Sequence, residues 1–294
     1  MTKEIGIKMK IVSASDLHLE FHGHKENFGL SDTILYNGLN ADVLILAGDI
    51  LNSEVLKNRK KGYRSKLDNV FGCFSKYYKN VIYVMGNHEH YEGDFPKTKE
   101  LILDFLFLEY SNITLLEKTG VFINGVRFFG GTMWTDLSDP IEAHVARKGM
   151  NDYYLVENTS RKIAYRAKNE DDQMFMKYRS GTLLPADTTE DHFEFIKALE
   201  EDMAFHNEMN YVVVTHHSPS LAMCDPVYLS DEYNCCYHNN LDNFILDNPR
   251  IKRWFCGHTH RAKRLTMGEC EIILNPRGYP GELRTEYELA ETEL

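Results

Sequence analysis

Asp42-Val43-Leu44-Ile45-Leu46-Ala47-Gly48-Asp49 is an apolar run that stops abruptly at a glycine and a carboxylate. Val43 to Ala47 shows none of the alternation of a half-solvated strand, which predicts a strand buried on both faces, as in a parallel sheet covered by helices. Two other runs in the first third follow the same plan: Lys10-Ile11-Val12-Ser13-Ala14-Ser15 ends in Asp16, and Asn80-Val81-Ile82-Tyr83-Val84-Met85 ends in Gly86-Asn87-His88. Helical patterns fall between them, over Ser53 to Tyr78 and over Pro96 to Tyr110, where Pro96 suits a first helical turn. Strand, helix, strand in this order argues for a layered α/β fold.

The second half repeats the theme. Asn124-Gly125 between two apolar runs signals a hairpin within Val121 to Gly131. Tyr211-Val212-Val213-Val214-Thr215 ends in His216-His217, and Lys252-Arg253-Trp254-Phe255-Cys256 ends in Gly257-His258. A last hairpin is expected at Met267-Gly268, and the acidic stretch Glu282 to Leu294 reads as a surface strand or frayed end. Leu137 to Pro185 is different: it is charged, reads as helical, and contains no convincing strand. We expect one domain over residues 1–294, with 137–185 as a helical insertion or cap whose position over strand ends suits substrate selection.

The 294 residues carry 33 Lys+Arg against 44 Asp+Glu, a net charge of -11, which disfavours gripping nucleic acid by phosphate neutralisation alone. The one dense basic run is Lys57-Asn58-Arg59-Lys60-Lys61, read as a solvated face. No apolar stretch reaches the length of a membrane span, and no signal peptide is visible at the N-terminus, so a cytoplasmic protein without membrane contact is expected. The six cysteines show no metal-binding rhythm and are expected as free thiols, the adjacent Cys235-Cys236 pair included.

In open α/β sheets, ligands gather outside the carboxyl ends of the strands. Asp16 and His18, Asp49, Asn87 and His88, His216, and His258 with His260 all follow such ends. Singly, each suits a turn or a helix cap. Together they supply carboxylate, amide and imidazole donors without thiolate, a set for Mn, Fe, Zn or Ni rather than a structural zinc site.

These blocks, Asp16-Leu17-His18, Gly48-Asp49, Gly86-Asn87-His88-Glu89, Thr215-His216-His217 and Gly257-His258-Thr259-His260, resemble the signature of the calcineurin-like metallophosphoesterases. Ser15 to Phe21, Met133-Trp134-Thr135-Asp136, His216-His217-Ser218-Pro219 and Asn275-Pro276-Arg277-Gly278-Tyr279 are similar to its small bacterial-type branch near the cyclic-nucleotide phosphodiesterases. The resemblance implies a central β-sandwich flanked by helices, with two divalent metal ions, typically Mn²⁺, at the strand ends. Asp16, His18, Asp49 and His260 would hold one, and Asp49, Asn87, His216 and His258 the other. Asp49 would then bridge the ions, and the hydroxide they share would attack a phosphorus in line.

By the same resemblance His88 stabilises the transition state and protonates the leaving oxygen, while Asn87 also faces substrate. Glu89 reads as an orienting residue or a cap. His217 is left between a substrate contact and a donor behind a ligand. Arg277 is left between a phosphate contact, which its planar fork suits, and a salt bridge stabilising a turn. His22, His24 and His90 are expected as exposed loop residues. Tyr153, Tyr154, Tyr165 and Tyr178 are left between filling a small core in the insertion and stacking on a base. The implied activity is hydrolysis of a phosphodiester or phosphomonoester of a small, nucleotide-like molecule. A nuclease, and a metal-stabilised scaffold without turnover, are the alternatives.

Overall fold

In the computed structural model, residues 8–57, 61–106, 110–168, 174–283 and 286–294 are described. The described strands are β1 (Lys10–Ala14), β2 (Val43–Ala47), β3 (Asn80–Val84), β4 (Ile113–Leu116), β5 (Thr119–Ile123), β6 (Val126–Gly131), β7 (Glu157–Lys168), β8 (Met174–Thr182), β9 (Tyr211–Thr215), β10 (Ile251–Cys256), β11 (Lys263–Met267), β12 (Cys270–Leu274) and β13 (Ala290–Glu293). The first sheet runs β13-β1-β2-β3-β4, the second β11-β12-β10-β9-β6-β5, and β7-β8 stand apart as a hairpin. Within the first sheet β1 to β4 are parallel, as are β6, β9, β10 and β12 within the second. Antiparallel strands close one edge of the first sheet, where the acidic tail ends as β13 on β1, and both edges of the second, as β11 and β5.

The continuous apolar runs are explained by burial on both faces. Ile11, Val43, Ile45, Ile82 and Val84 point inward and meet Phe128, Val212, Val214, Phe255 and Ile273 of the other sheet. Their neighbours Val12, Leu44, Leu46, Val81 and Tyr83 point outward, against Leu67, Val70, Phe71 and Phe74 of the helix Lys61–Tyr77 and Ile102 and Phe105 of Thr98–Leu106. On the opposite side Phe129, Val213, Trp254 and Ile272 pack on Phe195, Leu199 and Met203 of the helix Pro185–Phe205. Helix, sheet, sheet, helix is therefore the order of layers, the flanked sandwich that was expected. Each aliphatic or aromatic side chain buried this way contributes about 1.5–3 kcal/mol before the entropy of ordering is subtracted.

The insertion departs from its reading. It begins with helices Pro140–Gly149 and Asp152–Leu155, but Glu157 to Tyr178, expected as helix, forms most of the antiparallel hairpin β7-β8. The pairs Tyr165↔Lys177 and Ala164↔Tyr178 show why. Most of the hairpin is exposed on both faces, so its charged residues are distributed without an apolar period to distinguish strand from helix. The helices sit on a small separate core of Trp134, Leu137, Ala146, Tyr153, Val156, Leu183 and Cys236. Tyr153 fills that core, whereas Tyr154, Tyr165 and Tyr178 are exposed. All six cysteines are free, with the Sγ atoms of Cys235 and Cys236 3.9 Å apart. Lys57 ends a short helix and Lys61 opens the next, while Asn58 to Lys60 of the basic run lie outside the described residues. None of the described helices is long and apolar enough to cross a membrane.

Candidate metal centre

The strand-end loops place several predicted ligands in strained backbone. Asp16 (φ 51°), His18 (φ 44°), Asp49 (φ 54°) and His258 (φ 71°) all adopt the left-handed conformation, which non-glycine residues occupy seldom and which collects at functional sites. Two glycines leave room for them. A Cβ on Gly48 would fall on the His216 ring, and one on Gly86 would fall on Asp49 Oδ1.

The side chains converge as two lobes. In the first, His18 Nε2 lies 3.1 Å from His260 Nε2, His260 Nε2 lies 3.5 Å from Asp16 Oδ1, and Asp49 Oδ2 lies 3.9 Å from His18 Nε2. In the second, His216 Nε2 faces Asp49 Oδ1 at 3.3 Å, Asn87 Oδ1 at 3.1 Å and His258 Nδ1 at 3.2 Å. One imidazole nitrogen carries a single proton or a single lone pair, so hydrogen bonding cannot satisfy three such neighbours at once. Ligands about 2.1 Å from a common ion stand about 3.0–3.4 Å from one another, which is the spacing of the second lobe. The donor set therefore fits a divalent cation in each lobe, the second already at ligand spacing and the first more open at 3.1–3.9 Å, with Asp49 offering one oxygen to each.

Atoms behind the cluster fix which nitrogen faces it. His216 Nδ1 donates to Ala47 O (3.0 Å), His260 Nδ1 to Glu282 (2.6 Å), and His18 Nδ1 to Glu20 (3.3 Å), leaving each Nε2 lone pair directed inward. Asn87 Nδ2 donates to the Tyr91 hydroxyl (3.1 Å), which turns Oδ1 toward the cluster. Glu89 is fully buried and takes up the orienting role read for it. Its oxygens accept from the amides of Asp49 (2.9 Å), Ile50 (2.8 Å) and Gly86 (2.6 Å) and from the Tyr83 hydroxyl (2.7 Å). Burial and the Asp49 charge push its carboxyl up to about 7. Asp49 goes the other way: burial would raise it, but the charges of His216 and His88 hold it well below the usual carboxylate range.

His88 stands beside the cluster, with Nε2 4.0 Å from Asp49 Oδ2 and 3.1 Å from the Tyr279 hydroxyl. Its Nδ1 is 3.1 Å from Glu20, and its ring stacks on Tyr91. Burial lowers its basicity, yet Asp49 and Glu20 outweigh that and raise its pKa above the ordinary value.

Other expectations resolve differently. His217 is buried behind the cluster, its ring 4.3 Å from that of His258 and 5.0 Å from that of Trp134, with Nδ1 3.5 Å from Thr132 O. The turn-stabilising salt bridge left open for Arg277 is not seen among the described residues. Its guanidinium turns to main-chain carbonyls, donating to Phe28 (2.9 Å), Gly29 (3.2 Å) and Leu17 (3.5 Å), and makes no salt bridge there. His22 and His90, expected at the surface, are buried. Sequence reasoning misses Glu20, Glu282, Tyr279 and Asp152, although Glu20 and Tyr279 lie inside the motifs Ser15 to Phe21 and Asn275 to Tyr279. Asp152 comes from the cap and is buried near Asn87 and His88, which draw its carboxyl down while burial, the stronger effect, pushes it up to about 6.

Above the cluster opens a cavity of about 280 Å³, walled by Asn87, His88 and Tyr91, by Tyr237 and Tyr279, and by Gly149, Met150 and Asn151 of the cap. The insertion thus forms part of the wall over the strand ends.

Residues 9–262 match the model of the calcineurin-like phosphoesterases. The chain is 25% identical to an uncharacterized protein of Acanthamoeba polyphaga mimivirus over 252 residues, 81% of this chain and 79% of that one. It shares its fold with a phosphopantetheinyl hydrolase from Mycobacterium tuberculosis (TM-score 0.64, 14% identity, 98% and 97% of the two chains covered). It also resembles, more loosely, a putative 5′-nucleotidase from Staphylococcus aureus (TM-score 0.51, 15% identity, 97% of this chain and 53% of that one). With the family match extending over both sheets and every strand-end loop of the cluster, the chain belongs to the calcineurin-like phosphoesterases.

Proposed function

We propose that this protein is a phosphoesterase dependent on two divalent cations, Mn²⁺ being the first to test, and that it hydrolyses a phosphodiester or phosphomonoester of a small, nucleotide-like molecule. The observation that carries this reading is Asp49, whose two oxygens face separate donor sets, Oδ1 toward His216 (3.3 Å) and Oδ2 toward His18 (3.9 Å). Asp16, His18, Asp49 and His260 would hold one ion, and Asp49, Asn87, His216 and His258 the other. Bound there, the ions supply positive charge to phosphoryl oxygens and acidify water, which also reverses the local field of an acidic protein.

The chain's own residues supply the rest. His88, held at Nδ1 by Glu20 and raised in pKa, keeps a proton on Nε2 that the Tyr279 oxygen accepts until a leaving oxygen takes its place. Asn87 and the cap residues Met150 and Asn151 bound the space in which the phosphoryl group sits. A cavity of about 280 Å³ suits a small molecule better than a polymer groove, which favours this reading over a nuclease.

The experiment is turnover of nitrophenyl phosphomonoesters and diesters and of cyclic nucleotides, with Mn²⁺, with chelator, and in Asp49→Ala. Activity that vanishes on chelation, returns with Mn²⁺ and is absent in Asp49→Ala is the expected result. Full turnover by chelated protein or by a folded Asp49→Ala variant would overturn it.

A further inference from the structure

A second cavity, of about 270 Å³, shares the Tyr279 wall with the metal pocket and is lined by His22, Lys25, Gly29, Arg277 and Gly278. Its chemistry differs from that of the metal cluster. Arg277 is 7% exposed, and no carboxylate among the described residues pairs with it. The three carbonyls that accept from its terminal nitrogens satisfy N–H groups without cancelling the charge, and Nε has no acceptor among the described residues. A buried cation without a counter-charge is costly to keep.

His22 is 4% exposed, yet neither of its ring nitrogens meets a hydrogen-bond partner. Lys25 completes the wall. A Cβ on Gly29 would come within 2.7 Å of Lys25 Cδ and 3.2 Å of an Arg277 Nη, so one glycine allows both cations to close over the same space. The field they make is felt by His22, which burial first, and then Arg277 and Lys25, hold at about 4. A neutral imidazole there still offers one N–H. Glu286, at the edge, is the acidic residue lining this cavity among those described.

We propose that this cavity is an oxyanion subsite that takes a phosphate-class group between Arg277, Lys25 and His22. Planar guanidinium, ammonium and imidazole N–H together match the lone pairs of such a group, and its charge supplies what Arg277 lacks. The site stands on its own geometry; only its use by the substrate of the metal centre rests on the phosphoesterase reading.

The test is binding of inorganic phosphate, followed by calorimetry, to the whole protein stripped of metal with chelator, so that the metal cluster does not contribute. Saturable binding is expected, weakened about tenfold in Lys25→Ala, at an exposed position, and comparably in His22→Leu. Absence of saturable binding at millimolar phosphate, or binding unchanged in Lys25→Ala, would overturn the proposal. Steady-state kinetics then separate the two sources of the anion. If Lys25→Ala raises KM for a substrate with a second phosphate, relative to nitrophenyl phosphate, the group belongs to substrate. If KM is unmoved while phosphate binding is lost, the ligand is free phosphate. Phosphate binding in a protein that hydrolyses no phosphoester would overturn the proposed function and leave the subsite standing.

Discussion

The floor of the pocket and its cap are built on opposite principles. The floor is largely buried: Asp16, His18 and His216 are 0% exposed, Asp49 and Asn87 2%, and only His260 at its rim is half-buried. Each is held from behind by an amide, a carbonyl, a hydroxyl or a carboxylate. The cap has only a small core under two short helices, and it extends into the exposed hairpin β7-β8. Rigid placement of donors and a variable wall above them are separate demands, and the chain meets them with separate regions.

Changes in the floor should therefore be severe. Asp49→Ala is expected to reduce turnover to background and to abolish binding of two ions, measured by metal analysis after gel filtration. His88→Ala should keep both ions while losing roughly 10²–10⁴-fold in rate, a split that steady-state kinetics beside metal analysis reads directly. Glu89→Ala touches neither lobe, but it orphans the amides of Asp49, Ile50 and Gly86. A loss of at least about 3 kcal/mol in urea unfolding is expected, and a loss near zero would show that the loop holds itself.

The boundary between the regions is Asp152. Its carboxyl is raised to about 6, so between about pH 4 and pH 6 the folded chain holds a proton that the unfolded chain releases. Stability from this group is therefore lost as pH rises through that window, by up to about 3 kcal/mol. Asp152→Asn should flatten the melting temperature of the chelated protein against pH there. At the far end, Tyr165→Ser with Tyr178→Ser in the hairpin should change stability by less than about 0.5 kcal/mol. A larger loss would mean that the cap is built more like the floor than its exposure shows.

The same contrast decides what the sequence reveals. Strands such as Val43 to Ala47 are legible because burial on both faces leaves an unbroken apolar run, and the polar residue that ends it marks the pocket. The hairpin is illegible because solvent on both sides removes the pattern. Glu20, Glu282 and Tyr279 escape notice for another reason. Their roles arise from proximity to His18, His260 and His88, and Tyr279 meets a residue 191 positions earlier. Arg277 is the instructive intermediate, since its motif marks the turn correctly while the side chain runs to Phe28 and Gly29.

Asp49 and His216 leave the ends of strands in different sheets, so the second lobe exists only once the two halves of the sandwich have docked. An ion bound there recognises the native state and has no equivalent site in the unfolded chain. At a hundred times its dissociation constant it would add about 2.7 kcal/mol to the stability of the whole sandwich. Metal supply would then govern how long the protein survives as well as how fast it works.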